Sequence, residues 1–379
     1  MIARARHAVS ANFLLHGVVW GAWAAQIPLA KERLGAGPGL FGLALLTIAM
    51  GAIISMPLTG ALINRFGSRM ILSFVGPGFA ILFLGPVLAP DALSFMLIGP
   101  IFGMVTGAMD VAMNAHGLTV ERRLGKPVMS AFHGAFSLGG LIGAFIGGLL
   151  VREYGGLVQA LLMSGLALLV LLAVRGMLLP SQVDKGLSAS HFGWPTRASL
   201  VLGVLCFLAL MAEGAVIDWS AIYLQQRFML DAGTAALGYA LFSGGMAFSR
   251  FAGDYLRAKA GSVHLVRWSA VMMAIGMAGA LLSPHPWMAI AVLIFTGIGI
   301  GNIAPILFAG GGKIEPAAPA RGIAAVVSLG YAGFLFGPPL IGITAEWAGL
   351  GSALWIIAAA GVAIAMAAGA VAGLDRKET

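Results

Sequence analysis

Charge is what this sequence has least of. Only 9% of its 379 residues are Asp, Glu, Lys or Arg, against about 25% in soluble domains, so the chain lacks the polar surface to face water. Cysteine is nearly absent, and the single Cys206 excludes an internal disulfide. No stretch is left over for a soluble catalytic domain. There is no phosphate-cradling Gly-rich loop ending in Lys-Ser/Thr, so ATP does not drive the protein. The seven histidines show no metal-ligand spacing, and no nucleophile–base–orienter set is recognisable. The reading is therefore not an enzyme, with no metal and no cofactor. A cleavable signal is excluded as well, because the apolar run from Ala8 to about Ala30 is too long for a signal core.

What is present is apolar surface. Hydrophobic residues make up 60% of the chain, the mean hydropathy is +0.97, and apolar runs longer than 18 residues recur from end to end. The residues come in blocks and do not alternate, which excludes a β-barrel. Breaks at Gly, Pro and charge clusters place spans at about 8–30, 39–63, 70–89, 92–118, 128–151, 157–179, 198–224, 234–256, 263–283, 286–312, 322–345 and 350–373. The expectation is an all-α integral membrane protein with twelve transmembrane helices.

The net charge of +8 is a matter of topology. Seventeen Lys and Arg fall in the loops and tails on one side, Arg4, Arg65, Arg122, Lys185, Arg257 and Arg376 among them. The other side has only Lys31, Arg33, Arg152 and Arg227, and Arg250 lies inside the eighth span. By the positive-inside rule both termini are cytoplasmic, which demands an even number of spans. Anionic membrane lipid, not nucleic acid, is the partner these charges imply.

An internal repeat divides the chain. Residues 34–45 (LGAGPGLFGLAL) match 230–241 (LDAGTAALGYAL) at an offset of 196, and Trp23 pairs with Trp219 in the same register. At an offset of 194, Gly139, Gly143 and Gly155 pair with Gly333, Gly337 and Gly349. Six spans per half preserve orientation, so the repeat is parallel and the substrate site is expected between the halves near the bilayer midplane. The expected organisation is a six-helix bundle over 1–179, a polar cytoplasmic linker over 180–197, and a second six-helix bundle over 198–379.

The loop Gly60-Ala61-Leu62-Ile63-Asn64-Arg65-Phe66-Gly67-Ser68-Arg69 resembles the signature of the Major Facilitator Superfamily, Gly-x-Leu-x-Asp-Arg-x-Gly-Arg-Arg. Asn64 replaces its Asp and Ser68 one of its basic residues. The resemblance implies a gating role for Gly60, Asn64, Arg65, Gly67 and Arg69. A worn copy, Gly253-Asp254-Tyr255-Leu256-Arg257, stands in the second half. The fifth span carries Gly139, Gly143, Ala144 and Gly147, similar to the family's Gly-Pro motif with Ala144 for Pro, and the eleventh carries Gly333, Gly337 and Pro338. Small residues four apart let helices approach closely, which is reading enough for these glycines.

Ionisable groups inside the membrane carry most of the functional information, since each costs about 2.5–3.5 kcal/mol at a helix centre. On the fourth span Asp110 and Asn114 share a face. A carboxyl that binds and releases a proton is what a coupling site needs; the structural alternative is a residue paired in a helix contact. The Gly107-x-x-Asp110-x-x-x-Asn114 pattern is similar to the fourth helix of the fucose permease group, which implies proton coupling beside a sugar site. The sequence Phe132-His133-Gly134-Ala135-Phe136-Ser137, with Asp110 to Asn114 before it, resembles the rhizopine-transporter-like subgroup and implies a polyol-like ligand. On the first span Asn12, His16, Trp20 and Trp23 fall at near-helical spacing, an aromatic beside hydrogen-bonding groups that suits a sugar ring. Glu213 lies mid-span on the seventh helix and Asn302 on the tenth. In the family the first, fourth, seventh and tenth helices line the central cavity.

These readings converge on a proton-coupled secondary transporter of a small sugar- or polyol-like solute, working by alternating access and symport as a monomer in a bacterial inner membrane. Asp110 and Glu213 are the candidate proton sites; Asn12, His16, Trp23, Asn114, His133 and Asn302 are the candidate solute ligands. The proton gradient is the energy source. A proton-driven exporter of amphipathic compounds is the alternative within transport, and a non-transporting receptor or scaffold the alternative outside it. With a cysteine at Ser188, in a background lacking Cys206, labelling is expected only from the cytoplasmic side; reaction with an impermeant reagent in intact cells would refute the topology.

Overall fold

The computed structural model describes residues 1–183, 196–314 and 319–375. Most of the expected linker, residues 184–195 with Ser188 among them, lies outside the described residues. Among the described residues, ten helical segments are long and apolar enough to cross a membrane. Two of them, Met129–Met177 and Ala232–Leu282, hold 49 and 51 residues. At 1.5 Å per residue each would run about 75 Å, more than twice the ~30 Å hydrocarbon core. Each is broken by one glycine outside helical geometry, Gly155 and Gly261, so each is two spans and the total is twelve.

In chain order the spans are α1 (Ile2–Arg33), α2 (Pro38–Phe66), α3 (Ser68–Leu88), α4 (Ala92–Leu124), α5 (129–154), α6 (156–177), α7 (Arg197–Phe228), α8 (232–260), α9 (262–282), α10 (Pro286–Ile314), α11 (Pro319–Ala348) and α12 (Leu350–Leu374). The turn into α4 is capped by Asp91, whose carboxylate accepts from the Ser94 amide at 2.8 Å; that bond holds the Asp91 carboxyl below the usual carboxylate range. Asp231 caps α8 in the same way, accepting from the Thr234 amide at 2.9 Å.

Four glycines set the hairpins. Gly67, Gly155, Gly261 and Gly349 have φ of +84°, +84°, +78° and +82° with ψ between 151° and 166°, a region essentially closed to residues with a Cβ. Eighty-eight residues separate Gly67 from Gly155 and Gly261 from Gly349, and 194 separate the two pairs. Each glycine sits between the second and third span of a three-span unit. Three is odd, so successive units alternate in orientation, and two units make each six-helix half. This is the inverted repeat nested within a parallel one.

Packing within and between halves relies on backbone contact. A Cβ on Gly139 or Gly143 of α5 would fall on the carbonyls of Leu14 and Val18 of α1, and one on Gly147 would meet Gln159 and Ala22. Gly333 of α11 lies against the Phe207 carbonyl of α7, and Gly337 against Met211. At the end away from the termini, called distal here, α1 is tied to α6 by a buried amide pair, Gln26 Nε2 donating to Gln159 Oε1 at 2.5 Å.

Replacing Gly155 or Gly349 by Ala tests the hairpins. Nothing lies within 4 Å of a Cβ at either position, so the loss, about 1–3 kcal/mol, is purely conformational. Gly165→Ala, equally open but helical, should leave stability unchanged or raise it by up to about 1 kcal/mol. Thermal unfolding in detergent reads all three.

Candidate functional site

The two halves enclose a cavity of about 270 Å³ reached by side chains of α1, α2, α4, α5, α7, α8, α10 and α11. That volume lies just below the range for drug-sized ligands. Contacts between the halves close its distal end. Gly39 N of α2 donates to Glu346 Oε2 of α11 at 2.9 Å, and Gln225 of α7 donates to Glu32 of α1 at 2.8 Å. Gly148 of α5 meets Gly233 of α8 backbone to backbone, and Phe41 sets its ring edge-on to Trp219 at 6.0 Å.

Arg250 of α8 organises one side of the cavity. Its Nη2 pairs with Glu213 Oε1 of α7 at 3.4 Å, its Nη1 donates to Ser137 Oγ of α5 in the other half at 2.7 Å, and its Nε faces the Gly301 carbonyl at 3.4 Å. The last contact follows from the sequence of α10. Pro305 has no N–H to give to the carbonyl four residues earlier, which is Gly301, and α10 breaks at Gly301 and Asn302. A carbonyl freed inside a membrane needs another donor, and Arg250 is placed to be it. The acid paired with Arg250 is Glu213. Asp254, four residues along the same helix, is exposed.

Asp110 of α4 stands opposite. Its Oδ1 accepts from Asn114 Nδ2 at 3.1 Å, and its Oδ2 accepts from the Tyr331 hydroxyl of α11 at 2.6 Å. The Asn114 amide also donates to the Asp110 carbonyl at 2.9 Å, so Asn114 serves Asp110 and is not itself in the cavity lining. Asp218 of α7 lines the cavity too.

The aromatic wall comes from α1 and α5. Trp20 Nε1 donates to His16 Nε2 at 3.2 Å, which leaves the His16 proton on Nδ1. That Nδ1 has no partner among the described residues, and neither has Trp23 Nε1 or Glu213 Oε2. His133 reaches the cavity with its ring edge against Phe13 at 5.2 Å. Five of the eight expected proton and solute residues thus meet in one place: Asp110, Glu213, His16, Trp23 and His133. Asn12 and Asn302 do not. Asn12 is buried with its amide on the Ala8 carbonyl of its own helix, and Asn302 ties the break in α10 to Ser249 at 2.8 Å. A polar residue inside a span marks a hydrogen bond to be made, and here the nearest acceptor is backbone or a neighbouring helix. Tyr331 was not foreseen; it is one of only five tyrosines, and its mid-helix position was the available signal.

At the end that carries the termini, Gly60, Asn64 and Arg65 belong to the last turns of α2, Gly67 makes the turn and Arg69 opens α3. The Arg65 guanidinium lies over the Phe66 ring at 5.1 Å, and Gly67 presses on Ser181. His116 of α4 bridges this turn to the chain beyond α6: its Nε2 accepts from the Leu179 amide at 3.0 Å, and its Nδ1 meets Ser68 Oγ at 2.6 Å.

The Major Facilitator Superfamily model matches residues 8–313. An MFS-type transporter of Yersinia pestis is 33% identical over 376 residues, covering 95% of this chain and 94% of that protein. Membrane protein MosC of Rhizobium meliloti is 32% identical, covering 95% and 88%. Among solved structures, the inward open xylose transporter XylE of E. coli superposes with a TM-score of 0.76 at 16% identity, covering 97% of this chain and 96% of that one. The nucleoside transporter NupG does so at 0.73 and 14%, covering 98% and 100%.

Breaking a buried ion pair from one side leaves an uncompensated charge and costs about 3–5 kcal/mol, whereas replacing both members is far milder. Arg250→Met alone should therefore lower thermal stability more than Arg250→Met with Glu213→Gln. Fluorescence-detected unfolding in detergent compares them; equal loss in both would remove the pair as the reason Arg250 is tolerated.

Proposed function

The chain belongs to the Major Facilitator Superfamily and is a membrane transporter, and from that premise we propose that it carries a small polar, sugar- or polyol-like solute by proton-coupled symport. The observation that carries this reading is the make-up of the cavity wall, where Asp110, Glu213, Asp218, His16, His133 and Arg250 bring hydrogen-bonding side chains together between the halves. A solute whose rim offers both hydroxyl donors and acceptors suits such a lining, and the partly exposed Trp20 indole supplies the apolar contact that a ring needs.

Asp110 is the proposed coupling carboxyl. It lies in the cavity between the halves, and its bonds to Asn114 and Tyr331 change character when it takes up a proton. Among the solved structures of the same fold is a D-xylose-proton symporter, at a TM-score of 0.74 and 15% identity. The proton gradient supplies the energy and no cofactor is required. With both termini in the cytoplasm of a bacterial cell, the closed distal end faces outward and this is the inward-facing arrangement of alternating access. The protein acts as a monomer, with halves at 1–179 and 198–379.

A proteoliposome screen of sugars, polyols, amines and drugs under an imposed pH gradient tests the solute class; a response confined to hydrophobic cations would favour export instead. For the coupling, Asp110→Asn keeps shape and hydrogen-bonding capacity but removes titration. Gradient-driven accumulation should fall to the equilibrium level while solute exchange survives. Full accumulation by a well-folded Asp110→Asn protein would exclude Asp110 and move attention to Glu213.

A further inference from the structure

We infer that Tyr331 is the positioning residue through which the second half of the chain responds to the ionisation of Asp110, a reading that rests on the coupling role proposed above. The two oxygens of Asp110 have different allegiances. Oδ1 is held by Asn114, one turn along α4, so that contact moves with the carboxyl and transmits nothing between the halves. Oδ2 is held by the hydroxyl of Tyr331, from α11 in the other half.

At 2.6 Å this contact lies in the range of an O–H donor on an ionised carboxylate, and such bonds are about twice as strong as their neutral counterparts. A proton on Asp110 removes the negative charge from the acceptor. The phenol then faces a neutral acid, and the link between the halves weakens while the Asn114 amide stays in place on the Asp110 carbonyl.

Of the other titratable groups at the cavity, His16 of α1 is engaged by Trp20, and Arg250 of α8 by Glu213 of α7 and by Ser137. His133 of α5 and Asp218 of α7 line the wall, and Glu213 and Cys206 of α7 lie within electrostatic reach of Tyr331. The side chains that α2 and α10 bring to the cavity are apolar. Tyr331 is thus the group that joins Asp110 to the opposite half. Linkage makes the effect reciprocal: if ionised Asp110 favours the arrangement in which Tyr331 reaches it, that arrangement favours release of the proton.

The test follows the distance between the halves as a function of pH, without reference to flux. Spin labels at Glu153→Cys and Gln226→Cys, both exposed at the distal end in opposite halves, are placed in a Cys206→Ser background in lipid vesicles. The full chain should shift its distance distribution between pH 5 and 8.5. Tyr331→Phe, which loses one hydroxyl, should reduce that shift at least threefold, and Asp110→Asn should abolish it. An undiminished shift in Tyr331→Phe, or a pH-insensitive distribution in the otherwise unmodified chain, overturns the inference. Distances that respond through Tyr331 in a protein whose flux ignores the gradient would support the Tyr331 link and sink only the coupled-transport reading.

Discussion

A hydrocarbon layer offers no hydrogen bond to a chain that crosses it, and most of this structure follows from that. Every span is helical because only a helix satisfies its own backbone. Four connections are reduced to a single glycine at positive φ between consecutive helices. Where a proline removes a donor, as Pro305 does for the Gly301 carbonyl, a side chain from the next helix stands in the gap. Lipid gives helices no hydrophobic reason to associate, so the contact surfaces are built from glycine faces that bring backbone against backbone, α5 on α1 and α11 on α7 among them.

Within that frame the polar residues sort by which partners they meet. Gln26 with Gln159 and Asn302 with Ser249 pair inside one half and hold it together. Arg250 with Ser137 and Tyr331 with Asp110 pair across the halves. The first kind is static scaffolding. The second kind can persist only while the halves keep their present tilt, and it lies both around the cavity and, through Gly39 with Glu346 and Gln225 with Glu32, at the distal end.

The spans, their number and the twofold repeat were legible because composition and punctuation are local properties. Even the hairpin glycines were half visible: Gly155 and Gly349 matched as a pair, while Gly67 and Gly261 gained their meaning only from backbone angles. The site was less legible. Helical spacing placed Asn12 with His16 and Trp23, yet spacing alone cannot say which face of a buried helix looks into a cavity and which into a neighbour. The i,i+4 spacing puts Asp254 beside Arg250 on α8, but the buried partner is Glu213, thirty-seven residues away in sequence. The mid-helix position of Tyr331 is visible in its own sequence, but its partner Asp110 lies on a helix of the other half, so no single window discloses the pair.

The location of Glu213 also bears on how the protein is made. Arg250 enters the membrane with α8, and the carboxylate that neutralises it is on α7, the span synthesised just before. The costly cation is therefore balanced by a residue already threaded into the bilayer, within its own half of the chain. What Arg250 later extends to the first half is a bond to a neutral hydroxyl, Ser137. The halves meet with this cation already balanced. A gene cut between α6 and α7 would leave each polypeptide with this balance intact, so assembly from two separately inserted pieces meets no electrostatic barrier at this pair.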